Sequence, residues 1–249
     1  MKTIQMQSCV HDNGTVECTL VEVELPEPGP EEVVVEIEAA PINPSDLGLM
    51  FGAADLSTVR AAERDGQPAV LLDVPDAAMR AMAPRVGHWM AVGNEGSGRV
   101  IAAGDSDAAQ ALMGQRVGMF GGEMYAGHRC LPATQCMAFP DHISAEQAAS
   151  SFVNPMTALG FMETRLMEGQ QAIVHTAAAS NLGQMLLRLC QADDVPLVNI
   201  VRSDEQVELL KSISGLEFMQ RIADGRLPQA MMAQTIGFGV TEAEAGKVV

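Results

Sequence analysis

Positive charge is scarce in this chain. Fifteen lysines and arginines face 32 aspartates and glutamates over 249 residues, a net charge of −17. Such a field repels a phosphate backbone, so nucleic acid is not expected as a partner, and any anionic ligand needs a local cluster of donors. Aromatic side chains are few as well. One tryptophan, Trp89, reads as packing, and the one tyrosine, Tyr125, lies in a strand-like stretch. No CxxC pair occurs among the five cysteines (Cys9, Cys18, Cys130, Cys136, Cys190), and their odd number argues for a reduced, cytoplasmic setting over a disulfide frame. No apolar run reaches the ~18–20 residues that span a bilayer, and the opening stretch lacks the apolar centre of a signal peptide, so no membrane partner is expected. The five histidines, His11, His88, His128, His142 and His175, show no metal-ligand spacing. Each reads as a turn or surface residue, and no metal is expected.

What is present supports a packed core: 47% of the residues are hydrophobic, and 23 glycines suit tight turns. Residues 16–25 and 32–40 alternate Val or Ile with Glu, the period of a half-buried strand, and "PEPGPE" turns the chain between them. "PINPSDLGLM" starts a short helix that Ser45 can cap. Residues 52–90 read as loop apart from a short helix in "VPDAAMRAM", whereas residues 93–139 return to short strands and glycine turns of a barrel or folded sheet. Residues 144–166 are helical, with Ser144 as N-cap, Gln147 completing a capping box, and Pro155 expected to kink or divide the helix. Residues 171–213 then switch to strand–helix–strand–helix, the grammar of a parallel sheet covered by helices. A third parallel strand does not follow.

The first of these strands runs into "HTAAASNLGQ", residues 175–184. A dinucleotide-binding loop needs small residues at a tight turn, at the pyrophosphate and where helix meets strand, followed by a helix N-terminus that offers free N–H groups. Ala177, Ser180 and Gly183 take those three places. The loop and first turn, Ala177, Ala179, Ser180, Asn181, Leu182 and Gly183, are therefore candidates for cofactor contact, and a plain small-residue turn is the alternative. The second strand favours the cofactor. It ends "NIVRS", so Arg202 and Ser203 stand where an acid would meet the ribose of NAD. A guanidinium there suits a 2′-phosphate, which points to NADPH, the alternative being a solvated surface arginine.

The fragments "AAPINPSDL", "GNEGSGRVIAAG", "GQRV" and "FVNPMTALG", with Gly93, Glu95, Gly98 and Gly104 in spacing, precede this loop in an order that resembles the medium-chain dehydrogenase/reductase superfamily, in particular its zinc-independent quinone oxidoreductase and enoyl reductase branches. The resemblance covers residues 1–214. It implies a mixed α/β chain: a GroES-like β-barrel catalytic domain over 1–150, then an incomplete Rossmann domain over 151–214. It further implies hydride transfer between NADPH and a small-molecule quinone or activated C=C substrate. Zinc-using relatives carry Cys and His where this chain has Asn43 and Asn94, and amides are poor zinc ligands. By resemblance Asn43 and Thr157 are catalytic and Asn154 touches the cofactor. From the residues alone, Asn43 equally suits a helix cap and Asn154-Pro155 a helix break. The family's tyrosine after the first motif is missing; Phe51 lies in that stretch. Family members often dimerise through the Rossmann sheet edge, which is missing here, so the resemblance leaves a homodimer open. Residues 215–249 resemble the start of a PaaI-type hotdog thioesterase. An acyl-CoA thioesterase fusion fragment and a truncated, non-catalytic remnant therefore stand as alternatives.

Overall fold

Val-rich alternation and glycine turns set up the first half of the chain, and a computed structural model describes residues 1–212 together with the backbone of two short strands further on. In chain order the elements are β1 (Lys2–Val10), β2 (Thr15–Glu24), β3 (Glu32–Ala39), α1 (Pro44–Phe51), β4 (Asp55–Arg64), β5 (Gln67–Asp73), α2 (Asp76–Met82), β6 (Met90–Ala91), β7 (Glu95–Ala103), α3 (Asp107–Gln110), β8 (Arg116–Phe120), β9 (His128–Pro132), β10 (Cys136–Phe139) and α4 (Ala145–Ala149). There follow α5 (Val153–Met167), β11 (Ile173–His175), α6 (Asn181–Ala192), β12 (Leu197–Asn199), α7 (Asp204–Ser212), and the short pair β13 (Ala243–Glu244) and β14 (Lys247–Val248). The chain divides into two compact units, Met1–Val153 and Asn154–Val249.

In the first unit the strands pair antiparallel as two five-stranded sheets, β4-β5-β2-β1-β6 and β10-β8-β7-β3-β9. The sheets are stitched by the segment around Gly127. Gly127 N–H donates to Ile4 O (2.9 Å), Ile37 N–H donates to Gly127 O (2.9 Å), and Met6 N–H donates to Tyr125 O (2.8 Å). Among the described residues the strand ladder does not close on itself, so the barrel expected from the sequence takes the form of two sheets joined at this seam. Val33, Val35, Val100, Val117, Met119, Met124 and Leu131 fill the core of the second sheet. Gly98 is needed where β7 pairs with β3 beside a register shift, because a Cβ there would overlap the Glu36 carbonyl oxygen.

Residues 52–90 depart from the loop expected. Asp55–Arg64 and Gln67–Asp73 form a hairpin on the edge of the first sheet. Its turn is Asp65-Gly66, both at positive φ (51° and 77°), the two-residue geometry that matches strand twist. The helix expected over 144–166 is indeed divided, but upstream of Pro155. α4 ends at Ala149, α5 begins at Val153, and Pro155 sits in the first turn of α5, where its missing N–H has no intrahelical partner to lose. Ser144 caps α4 through the Gln147 N–H (3.3 Å), and Gln147 answers the Ser144 N–H (2.9 Å). The cap of α1 is Asn43, with Pro44 in its first turn; Ser45 lies inside the helix.

In the second unit β11 and β12 pair in parallel, His175 beside Asn199. Ala158 and Met162 of α5, Ile173 of β11, and Leu186 and Cys190 of α6 pack as one core. The hotdog-like stretch expected over 215–249 lies outside the described residues, apart from the backbone of β13 and β14. No helix among the described residues is long and apolar enough to cross a membrane.

Candidate functional site

The loop after β11 is built by small residues and closed by a hydroxyl. Ser180 N–H donates to Ala177 O (3.0 Å), Ser180 Oγ accepts from Gly183 N–H (3.1 Å), and Gln184 N–H donates to Ser180 O (2.9 Å). Ser180 is therefore the N-cap of α6: its oxygen is taken by the helix, while its hydroxyl proton remains for another acceptor. Ala178 is buried under the loop, Ala177 and Ser180 are exposed, and Ala179 is half-buried. Gly183 is a requirement of the loop, since a Cβ would overlap the Ala178 and Ala177 carbonyl oxygens. Asn181 and Leu182 stand in the first turn, where backbone N–H groups have no intrahelical acceptor and the helix dipole is positive. The Leu182 side chain packs into the core, so only its backbone faces the loop.

Parallel pairing brings the loop after β12 to the same edge. Ile200 N–H donates to His175 O (2.9 Å), and Val201, next to Arg202, packs on a cluster formed by Ala178, Leu187 and Leu210. The loop that carries Ser180 and the turn that carries Arg202 thus share one small core. The Arg202 backbone N–H donates to Gln206 Oε1 (2.9 Å), and its side chain is exposed and makes no ion pair among the described residues. Ser203 has a job in the helix. Its oxygens accept from Gln206 N–H (3.4 Å, at Oγ) and Val207 N–H (3.2 Å, at the carbonyl), and its hydroxyl lies by Glu205 and lowers that carboxyl's pKa. Ser203 therefore starts α7 by capping, whatever it also does for a ligand.

His175 does not have the exposed turn position expected of it. It is 7% exposed, ends β11, and meets the Phe161 ring edge-on at 5.7 Å. Burial pushes its imidazole pKa down. Its Nδ1 and the Oδ1 of Asn199, its register partner, are both buried without a hydrogen-bond partner among the described residues. Asn154 and Thr157 belong to the first turns of α5 in this same unit, with Thr157 on its exposed side.

Asn43 lies in the other unit, inside a buried polar cluster. Glu95, 0% exposed at the start of β7, accepts from Asn43 Nδ2 at Oε1 (2.9 Å) and from the Phe152 and Val153 N–H groups at Oε2 (2.9 Å each). Asp46, also 0% exposed, accepts the Asn43 N–H (2.8 Å), the Asn94 N–H (2.8 Å) and Asn94 Nδ2 (2.7 Å). Each of the two carboxyls thus accepts three amide N–H groups, which is how a buried acid is satisfied where no cation is paired with it among the described residues. The Tyr125 hydroxyl donates to Pro41 O (2.8 Å), and burial, with Asp46 and Glu95 nearby, raises its pKa and keeps the phenol protonated. Glu95 and Asp46 carry no role in the sequence reading. The available signal is an acid inside the glycine-rich start of β7. Among the described residues no three His, Cys, Asp or Glu side chains are grouped to hold a metal ion.

No protein-family model matches the chain. It is 27% identical over 219 residues, 85% of its length, to the mitochondrial enoyl-[acyl-carrier-protein] reductase of Caenorhabditis elegans, and spans 54% of that protein. The quinone oxidoreductase of Coxiella burnetii superposes on 86% of the chain with a TM-score of 0.63 at 17% identity; 61% of that structure is covered. A mycobacterial protein complexed with NADPH superposes on 89% with a TM-score of 0.57 at 21% identity, with 63% of it covered. The chain spans about half the length of the curated relative it matches over most of its length. It thus shares the mixed α/β fold of quinone oxidoreductase structures and resembles, in sequence, an enoyl reductase.

Proposed function

We propose that the chain is a zinc-independent oxidoreductase that uses NADPH to reduce a quinone or an activated C=C bond. The observation that carries this reading is the shared core of the two loops: Ala178 and Val201 belong to one small cluster, and the loops that carry them both leave the C-terminal edge of a parallel strand pair. That edge is where open α/β sheets take their ligands. The loop fits the group, because the close approach of Gly183 to Ala178 leaves backbone where a side chain would otherwise stand. The likeness to a structure complexed with NADPH supports the same cofactor.

NADPH, when bound, supplies the hydride. The chain's own residues bind, orient and exclude water. The N–H groups of Ala179, Asn181 and Leu182 and the Ser180 hydroxyl would take the pyrophosphate, and Arg202, with Ser203 beside it, the 2′-phosphate. Asn43, Thr157 and Asn154 would act at the nicotinamide end, by orienting it and stabilising charge that develops on a substrate oxygen. In this reading residues 1–150 form the GroES-like catalytic domain and residues 151–214 a partial Rossmann domain. The same reading puts the chain in the cytoplasm and leaves a homodimer open.

Fluorescence titration of NADPH and NADH against the wild type and Arg202→Ala tests the assignment. Saturable NADPH binding is expected. The substitution should weaken NADPH by about tenfold and leave NADH nearly unchanged, the loss of one charge-assisted phosphate contact. No saturation at millimolar NADPH overturns the reading.

A further inference from the structure

Glu95 is a fully buried acid that joins two parts of the first unit. One oxygen faces the Asn43 carboxamide and the other faces the two backbone N–H groups from which α5 departs, and no cation is paired with it among the described residues. A carboxylate of this kind does something a neutral acceptor cannot. An Asn side chain is ambiguous by half a turn, since its oxygen and nitrogen are nearly equal in size. An ionised acceptor removes the ambiguity: nitrogen against it is attracted, and oxygen against it is repelled. The second oxygen meanwhile holds the Phe152 and Val153 N–H groups, where α5 begins.

We propose that Glu95 is the positioning residue of the reductase site, one carboxylate that sets both the direction of the Asn43 carboxamide and the point at which α5 begins. The inference rests on Asn43 acting at the nicotinamide. Glu95 itself touches no substrate; it acts through Asn43.

Glu95→Gln separates the two arms. The substituted carboxamide keeps a carbonyl oxygen for Phe152 and Val153 but turns an NH2 group toward Asn43, so the Asn43 amide must reverse or lose its partner. Two readouts are needed. The first is the ¹⁵N–¹H signal of the Asn43 side-chain amide, identified by its loss in Asn43→Ala. Its exchange with solvent should be at least about tenfold faster in Glu95→Gln than in the wild type and intermediate in Glu95→Asp, which keeps the charge on a shorter arm. The second is quinone-dependent oxidation of NADPH. Glu95→Gln should lower kcat by about tenfold or more, with Kd for NADPH within about twofold, and should add nothing further in an Asn43→Ala background. Unchanged Asn43 exchange, or additive losses in the double variant, overturns the proposal. If the wild type binds no NADPH, the reductase reading falls by itself, and the amide exchange still decides whether Glu95 orients Asn43.

Discussion

At the scale of single residues the two glycines Gly183 and Gly160 make a controlled comparison. A methyl on Gly183 would enter the Ala178 carbonyl, which is backbone and cannot swing away, whereas a methyl on Gly160 meets nothing within 4 Å. Gly183→Ala should cost about 1–3 kcal/mol. Gly160→Ala, in the interior of α5, should gain about 0.5–1 kcal/mol. Denaturant melts followed by circular dichroism would show midpoints moving in opposite directions, and equal shifts would contradict the close approach. Gly183 was legible in the sequence because its requirement is local: the carbonyl it must clear belongs to Ala178, in the same loop. The role of Glu95 was not, because its three donors lie 52, 57 and 58 residues along the chain, and nothing in its own neighbourhood announces them.

At the scale of elements, what could be read depended on which faces are buried. The α6 helix falls at the expected residues because its apolar stripe faces a core and Ser180 marks its start. The β4–β5 hairpin escaped because β4 is exposed along nearly all its length and so shows no alternation of apolar and polar residues. Its Asp-Gly turn was the available sign. The β11–β12 pair has its own pH signature. Burial holds the His175 imidazole below its ordinary pKa of 6.5. Between the two values the unfolded chain binds a proton that the folded chain refuses, so His175 leaves stability whole above pH 6.5 and subtracts from it as pH falls below. Urea melts at about pH 7.5 and about pH 5.5 should show the wild type losing more stability on acidification than His175→Gln. An identical loss in both would mean that the imidazole titrates freely.

At the scale of the whole molecule, five cysteines are present and none is bridged. Burial raises every one that departs from its ordinary value: Cys18 and Cys190 to about 11, Cys136 to about 12, with Cys9 and Cys130 shifted the same way. Reaction with a disulfide reagent needs the thiolate. The native protein at about pH 8 should therefore react slowly, and all five thiols should be counted only after denaturation. Rapid native labelling of more than one thiol would show that the packing is looser than described.

Where β7 pairs with β3 at Gly98, main chain lies directly against main chain. Elsewhere in that sheet a lost methyl can be made good by a larger neighbour, and sequences can drift by such exchanges. No graded exchange exists at that contact, since any substituent begins with the atom that does not fit. A library of variants would therefore be expected to read there as a single permitted letter, and the alignment of the two strands to descend intact or not at all.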